Sequence, residues 1–243
     1  MGIEDDNIKY FRDKVEWYDN NPKNKKVQEA VSKAFEDYHS WIGVNWITPE
    51  ERLAESREVR LLDYACGTGI VTRRLGPHIT HAIGIDITPE MVDAFNKKVS
   101  DAGIPLSNIS AVTGNLLRDP VEPVELMQDK YFNFDIACIG LGFHHFEDPA
   151  DAAKKLATRL KPGGVLLLID LLSDDGTAFN DHDAVKSIQK HGFTESDMQK
   201  IYDNAGLSRF SFKVMDEKMV LEGKNGQNVS RTLFFARGEK LTG

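Results

Sequence analysis

Short apolar runs alternate with helical segments from residue 59 onward, and this alternation constrains the fold more than any other feature of the sequence. Strands that alternate with helices form βαβ units, in which a parallel sheet lies between two layers of helices. Strands are predicted at 59–64, 81–86, 109–113, 134–139 and 165–170, and two late strands at 207–215 and 231–236. Helices are predicted at 70–75, 89–102, 149–160 and 194–205. The sequence therefore predicts an α/β fold.

Three threonines mark the starts of predicted helices. Thr48, Thr88 and Thr194 each precede a helical segment, and a proline follows the first two. A threonine side chain accepts a hydrogen bond from the first turn, and proline fits the first helical position. A longer helix is predicted over 25–41, where apolar residues recur every three or four positions. We interpret residues 1–58 as an N-terminal helical cap or lid, and residues 59–243 as the core of one domain.

Composition excludes several classes of protein. The 243 residues carry a net charge of −8, and only two of them are cysteines. Two cysteines are too few for a disulfide scaffold, which favours a reducing, cytoplasmic setting. No apolar run reaches the ~18–20 residues of a membrane span, and the N-terminus has no secretory signal. The acidic balance argues against a nucleic-acid partner, because phosphate-binding surfaces gather Lys and Arg.

A glycine-rich turn and an acidic residue follow the first two strands. Asp63-Tyr64-Ala65-Cys66-Gly67-Thr68-Gly69 ends the first strand, and Asp86 ends the second. The carboxyl ends of parallel strands are where such sheets bind ligands. A dinucleotide fingerprint fails here, because its third glycine would fall at Thr72. A carboxylate at position 86 can accept hydrogen bonds from a ribose diol. Taken one at a time, the glycines and Asp86 also fit purely structural turns.

The order of five segments resembles that of the class I S-adenosylmethionine-dependent methyltransferases. The fourth segment is similar to that of the ubiquinone/menaquinone-biosynthesis type of small-molecule methyltransferase. The five segments are Leu61-Leu62-Asp63-Tyr64-Ala65-Cys66-Gly67-Thr68-Gly69, Ile83-Gly84-Ile85-Asp86-Ile87-Thr88-Pro89-Glu90-Met91, Gly114-Asn115-Leu116, Phe134 to Phe146, and Leu160-Lys161-Pro162-Gly163-Gly164-Val165.

This resemblance implies a Rossmann-like, doubly wound sheet of seven strands, mostly parallel with an antiparallel last strand. It implies S-adenosylmethionine as the cofactor. The positions that it assigns to cofactor binding are Tyr18, Asp63, Ala65, Gly67, Thr68, Gly69, Asp86, Ile87, Met91, Asn115, Leu116 and Gly140. Two positions depart from the family pattern. Ala65 replaces the first glycine of the turn, and Asn115 replaces the acid that meets the adenine.

Methyl transfer from a sulfonium depends on alignment more than on acid–base groups. A base helps when the acceptor carries a proton at working pH. His145, His191 and His144 are the candidates, in that order, and the alternative is that His144 and His145 only pack the loop after the fourth strand. No group of residues shows the spacing of metal ligands.

The resemblance implies methyl transfer to an O, N, S or C nucleophile of a small, partly apolar acceptor. The predicted lid combines residues 10–46 with the loop 171–193, because Phe35, Trp17, Trp41 and Trp46 give the first segment much aromatic surface. A protein acceptor and a regulatory, methyltransferase-like subunit with little turnover are the alternatives. The absence of Asn-Pro-Pro-Tyr or Asp-Pro-Pro-Tyr after the fourth strand lowers the case for nucleic acid. A dimer or a protein partner stays open.

Overall fold

The computed structural model describes residues 3–173, 192–222 and 228–241. Its main sheet has seven strands in the order β3-β2-β1-β4-β5-β9-β6. These strands are β1 (Arg60–Tyr64), β2 (His81–Asp86), β3 (Ile109–Thr113), β4 (Phe134–Gly140), β5 (Leu160–Leu171), β6 (Leu207–Val214) and β9 (Leu233–Lys240). β9 runs antiparallel to both β5 and β6, and the other neighbouring strands pair in parallel. The predicted doubly wound sheet with an antiparallel last strand is confirmed.

Helices cover both faces of the sheet. The helices are α1 (Ile3–Arg12), α2 (Val15–Asn20), α3 (Pro22–Ile42), α4 (Pro49–Leu53), α5 (Ile70–Leu75), α6 (Pro89–Asp101), α7 (Pro149–Arg159) and α8 (Glu195–Asn204). Successive strand residues point to opposite faces. Leu61 therefore packs in the core beneath α3, α5 and α6, whereas Leu62 packs in the core beneath α7 and α8.

All three predicted helix starts are correct, and two of the three threonines cap their helix through the side chain. Thr48 and Thr194 both form capping boxes, with Glu51 and Asp197 returning the hydrogen bond. Thr88 is the N-cap residue of α6, with Pro89 at the first helical position as predicted, but its side chain accepts no hydrogen bond from the first turn. The backbone N–H of Thr88 instead donates to the carboxylate of Asp86, which turns this strand end toward the helix. The charged segment after Thr48, which the sequence predicts to be helical over 49–58, forms the shorter helix α4, which ends at Leu53.

The N-terminal part contains more helix than the apolar spacing predicted. The helix predicted over 25–41 is α3, which begins at Pro22 because Asn21 caps it. α1 and α2 precede it in a stretch too polar to show a helical stripe. A second sheet, the hairpin of β7 (Met219–Glu222) and β8 (Asn228–Arg231), was also missed; α3 packs against β7. Gly-Lys-Asn-Gly at 223–226 is a sequence typical of a turn, and it lies outside the described residues.

The topology brings the turns after β1, β2 and β4 to one edge of the sheet. β1 lies between β2 and β4, and the chain order reverses direction there. Ligands of open α/β sheets bind at such a switch point. Among the described residues, no helix has the length and apolar character needed to cross a membrane.

The capping box of α8 gives a stability test of this fold. Replacing Thr194 by Ala removes the acceptor of the Asp197 N–H, so the free energy of unfolding should fall by about 1 kcal/mol. Thr194→Ser keeps the hydroxyl and should retain most of this stability. Chemical unfolding of the three proteins measures both effects, and equal losses in Ala and Ser variants would contradict the role of the cap.

Candidate active site

A cavity lies over the edge where β1, β2 and β4 end. Its floor consists of the turn after β1, the end of β2 and the segment after β4, and α1, α2 and α3 cover it. Nine of the positions predicted from the sequence line this cavity. They are Tyr18, Ala65, Gly67, Thr68, Asp86, Ile87, Met91, Gly140 and His145. The fold therefore brings most of the predicted positions together.

The turn after β1 has a left-handed backbone at three positions. The φ angles are 54° at Ala65, 50° at Gly67 and 87° at Gly69. A side chain at Gly69 would also place its Cβ 2.6 Å from the ring of Phe95. Ala65 adopts a positive φ although alanine disfavours it, at a cost of roughly 1–2 kcal/mol. The alanine in place of the family's glycine therefore leaves the shape of the turn intact.

Asp86 joins the two strand-end turns. One carboxylate oxygen accepts from the N–H of Gly67 at 2.8 Å, and the other accepts from the N–H of Thr88 at 2.9 Å. The residue is 8% exposed, and burial raises the pKa of its carboxyl. A carboxylate has about four acceptor positions, so lone pairs remain for a ligand in the cavity. Backbone N–H groups thus hold Asp86 in a fixed orientation toward the cavity that it lines.

Asp63 lies directly before the turn and is buried beneath it. Its Oδ2 accepts from the backbone N–H of Thr72 at 3.1 Å and from the hydroxyl of the same residue at 2.7 Å. Its Oδ1 is buried with no hydrogen-bond partner in the described part of the chain. Burial raises the pKa of Asp63 to about 7. This unpaired acceptor sits next to a turn built for a close backbone approach, which suits a cationic ligand group.

Asn115 and Leu116 are not part of the cavity lining. Asn115 lies in a neighbouring surface pocket, which shares Ile87 with the cavity. Its amide oxygen accepts from the hydroxyl of Tyr64 at 2.9 Å and from the N–H of Leu117 at 2.8 Å. Leu116 is 2% exposed and packs in the core beneath α7 and α8. Their contact with an adenine ring stays a prediction.

His144 and His145, the two candidate bases within the described residues, have different surroundings. His144 is buried, and its Nδ1 lies 2.7 Å from the carboxylate of Asp170, which also accepts the His144 N–H. His145 lines the cavity and packs edge-on against Phe11, with ring centroids 5.1 Å apart. His191 lies outside the described residues. Of these side chains, His145 is the one that faces the cavity.

The cavity roof comes from residues that the sequence did not single out. α1 contributes Asn7, and α3 contributes Asn24 and Gln28, one helical turn apart. Both α3 amides donate to the carbonyl of Tyr18, at 2.5 Å and 2.9 Å. The sequence offers one signal for Asn24 and Gln28. Their spacing of four residues places both side chains on one face of a helix.

Four aromatic residues that motivated the lid hypothesis point elsewhere. Phe35 packs against Phe235 of β9, and Trp41 donates to the hydroxyl of Ser211 on β6. Trp46 donates to a carbonyl within the N-terminal part, and Trp17 is 39% exposed. None of the four lines the described cavity. The aromatic side chains that do line it from the cap are Phe11 and Tyr18.

Comparisons with known proteins agree with this geometry. Residues 62–168 match the family described as "Methyltransferase domain". An uncharacterized methyltransferase of Schizosaccharomyces pombe is 30% identical over 194 residues, covering 74% of this chain and 66% of the relative. The chain belongs to the class I S-adenosylmethionine-dependent methyltransferases.

Two further methyltransferases extend the comparison. A demethylmenaquinone methyltransferase of Staphylococcus saprophyticus is 27% identical over 144 residues, covering 56% of this chain and 53% of the relative. A solved S-adenosylmethionine-dependent methyltransferase of Anabaena variabilis shares the fold, with a TM-score of 0.63 and 17% identity, over 99% of this chain and 96% of that one. The chain spans about half to two thirds of the length of these two curated relatives.

The cofactor of this methyltransferase is S-adenosylmethionine. The residues present fit it in two respects. The unpaired oxygen of Asp63 suits a molecule with a positive charge, and the buried carboxylate of Asp86 suits a ribose diol. No group of three or more His, Cys, Asp or Glu side chains in the described residues is arranged to hold a metal ion.

The raised pKa of Asp63 should make the free energy of unfolding depend on pH. The carboxyl titrates near pH 4 in an unfolded chain and near 7 in the folded one. Stabilisation by the neutral acid is therefore complete below about pH 4 and is lost as the pH rises toward 7. The amide of Asp63→Asn does not ionise, so the variant keeps its stability as the pH rises. Between about pH 4.5 and 7.5, the variant should gain on the order of a few kcal/mol relative to the wild type.

Urea unfolding of both proteins without cofactor, at the two pH values, measures this difference. Asp93→Asn is the matched control, because Asp93 is an exposed aspartate on α6. The difference in free energy of unfolding between Asp93→Asn and the wild type should be the same at the two pH values. A constant difference between Asp63→Asn and the wild type would contradict the assignment of this pKa.

Proposed function

We propose that this chain binds S-adenosylmethionine in the cavity and transfers its methyl group to a small-molecule acceptor. The observation that carries the proposal is the covered cavity itself. Its floor holds the glycine-rich turn and the carboxylate of Asp86, and three helices close over it. A site of this form holds one cofactor and one small molecule away from water.

The cofactor portions are assigned by chemistry. Asp86 accepts from the ribose hydroxyls, while Gly67 and Gly69 let the amino-acid end approach the backbone. Asp63 supplies negative charge beneath that end. Ile87 and Met91 offer apolar surface to the base, since both line the cavity next to Asp86. This assignment is supported by the family and by the placement of these side chains.

Bound S-adenosylmethionine supplies a methyl group on a sulfonium, which passes to the acceptor by in-line displacement. The work of this chain is to align the acceptor and exclude water, where most of the rate gain for such a reaction lies. His145 is the cavity-facing group that can take a proton from a hydroxyl acceptor. His144, held by Asp170, is a positioning residue for the segment that carries His145.

The roof favours a small acceptor over a polypeptide. Asn7, Phe11 and Gln28 lie across the cavity, and Asn7 donates to the carbonyl of His145 at 3.4 Å. This placement supports the proposal that the N-terminal helices of residues 1–58 act as a cover. By its name, the relative of Staphylococcus saprophyticus described above methylates demethylmenaquinone, which is not a polypeptide.

Binding of the cofactor product tests the role of Asp86. Asp86→Ala should weaken S-adenosylhomocysteine binding by roughly 1.5–3 kcal/mol, the range for hydrogen bonds to charged groups. Isothermal titration calorimetry on wild type, Asp86→Ala and the exposed control Asp93→Ala measures it. Unchanged affinity in Asp86→Ala would remove this residue from the site.

Turnover tests the proposed function. Wild-type protein should transfer label from methyl-labelled S-adenosylmethionine to a component of a low-molecular-mass metabolite extract, and Asp86→Ala should transfer far less. A parallel reaction with a protein extract tests the alternative acceptor. Label confined to protein would overturn the small-molecule proposal. Binding without transfer to either extract would favour a regulatory subunit.

A further inference from the structure

A second groove lies on the outer side of the glycine-rich turn, between α5 and α6. α5 has only six residues, so it leaves the lower part of α6 uncovered. The groove extends from Thr68, next to the cofactor cavity, to Asn108 before β3. Thr68 lines both the groove and the cavity. The groove is therefore separate from the cavity but touches the same turn.

The groove combines an apolar floor with positive charge. Phe95 and Val99 of α6 and the buried Ile79 form part of its floor. Arg52, Arg73 and Lys98 are its cationic side chains, and no Asp or Glu of the described residues lines it. A site of this composition complements an anion attached to an apolar body.

Hydrogen bonds to backbone carbonyls fix the two arginines at opposite ends of the groove. Arg52 donates to the carbonyls of Pro77 and Ile79, at 2.9 Å and 2.6 Å. Arg73 donates to the carbonyl of Thr68, at the other end. Carbonyls are neutral acceptors, so these contacts orient the guanidinium groups without cancelling their charge.

Lys98 has a carboxylate partner, and that partner comes from the cover. Its Nζ donates to Asp19 Oδ1, the same oxygen that accepts from the hydroxyl of Thr68 at 3.0 Å. Asp19 is in α2, next to Tyr18. The pair is only partly exposed, with 29% of the Lys98 side chain and 25% of the Asp19 side chain accessible. Burial lowers the pKa of Lys98, and the hydrogen bond to Asp19 opposes that effect.

We propose that this groove binds a small carboxylate with an apolar body, and that the bound carboxylate competes with Asp19 for Lys98. The anion lies with its apolar part on Phe95 and Val99 and its charge at the Arg73 and Lys98 end. Because Asp19 ties α2 to Thr68 and Lys98, occupation of the groove weakens one attachment of the cover. Occupation of the groove and closure of the cover over the cofactor therefore oppose each other.

Calorimetric titration with naphthalene-2-carboxylate tests this proposal. The protein is the full chain, saturated with S-adenosylhomocysteine so that the cofactor cavity is filled. Lys98→Gln keeps the aliphatic stem but removes the charge, and should weaken binding about tenfold. Asp19→Asn removes the competing carboxylate and should strengthen binding about fivefold. If Lys98 and Asp19 only stabilised the fold, the two substitutions would not change the affinity for the carboxylate in opposite directions.

The matched control is Lys97→Gln, because Lys97 is the neighbouring lysine on α6, is 74% exposed and pairs with Asp101. It should bind the carboxylate like the wild type. The uncharged naphthalene-2-carboxamide provides a ligand control that needs no variant, and should bind the wild type at least tenfold more weakly. Circular dichroism of each variant checks folding.

Four results would overturn the proposal. They are no binding to the wild type, equal affinity for the carboxylate and the carboxamide, weaker binding to Asp19→Asn than to the wild type, and unchanged affinity in Lys98→Gln. None of these measurements uses methyl transfer. They rest on cofactor binding in the cavity but not on methyl transfer, so failure of this proposal is distinguishable from failure of the proposed transfer.

Discussion

The carboxylate of Asp86 is the contact on which the site depends. It accepts one backbone N–H from the turn after β1 and one from the turn after β2. It adds a side-chain link to the backbone hydrogen bond in which the N–H of Cys66, in the turn after β1, donates to the carbonyl of Ile85 at the end of β2. The ligand-binding edge is thus held in place by backbone donors before any ligand arrives. Preorganisation of this kind lowers the cost of ordering the site when the cofactor binds.

The α1 and α2 part of the cover is attached to that edge by polar contacts, whereas α3 packs into the core beneath it. Asp19 bonds to Thr68 and Lys98, and Asn7 bonds to the carbonyl of His145. Glu4 of α1 pairs with Arg118 at 3.0 Å. Such contacts are weak one by one, because partly exposed ion pairs contribute little. This attachment suits a segment that must admit a cofactor and an acceptor, and it makes the cover sensitive to charge in the groove behind the turn.

The sequence predicted the sheet and the cofactor edge because both depend on local patterns. The predicted strand at 165–170, for example, begins with five consecutive apolar residues, and the turn at 65–69 is marked by its glycines. The polar segments that form α1 and α2 show no periodic pattern of apolar residues. The positions of these helices depend on contacts with residues far along the chain, which no local pattern reveals. Asn115 is a second case in which a local pattern does not reveal the contacts of a residue. Its type suggested a partner for adenine, whereas only the structure reveals that Tyr64 and Leu117 already donate to its amide oxygen.

His144 and His145 also show why adjacent residues of one type differ in role. The sequence places both after β4, and the two rings lie 4.2 Å apart. The difference arises from Asp170 at the end of β5, which holds His144 and leaves His145 as the neighbour of Phe11 in the cavity. Pairing between side chains separated by 26 residues cannot be read from either local segment.

A crystal structure of the complex with S-adenosylhomocysteine tests the central claim most directly. The account predicts that both ribose hydroxyls lie within hydrogen-bond distance of the Asp86 carboxylate, about 3 Å, with the sulfur in the cavity beneath α1 and α3. A nucleoside bound away from Asp86, or in the groove between α5 and α6, would contradict it.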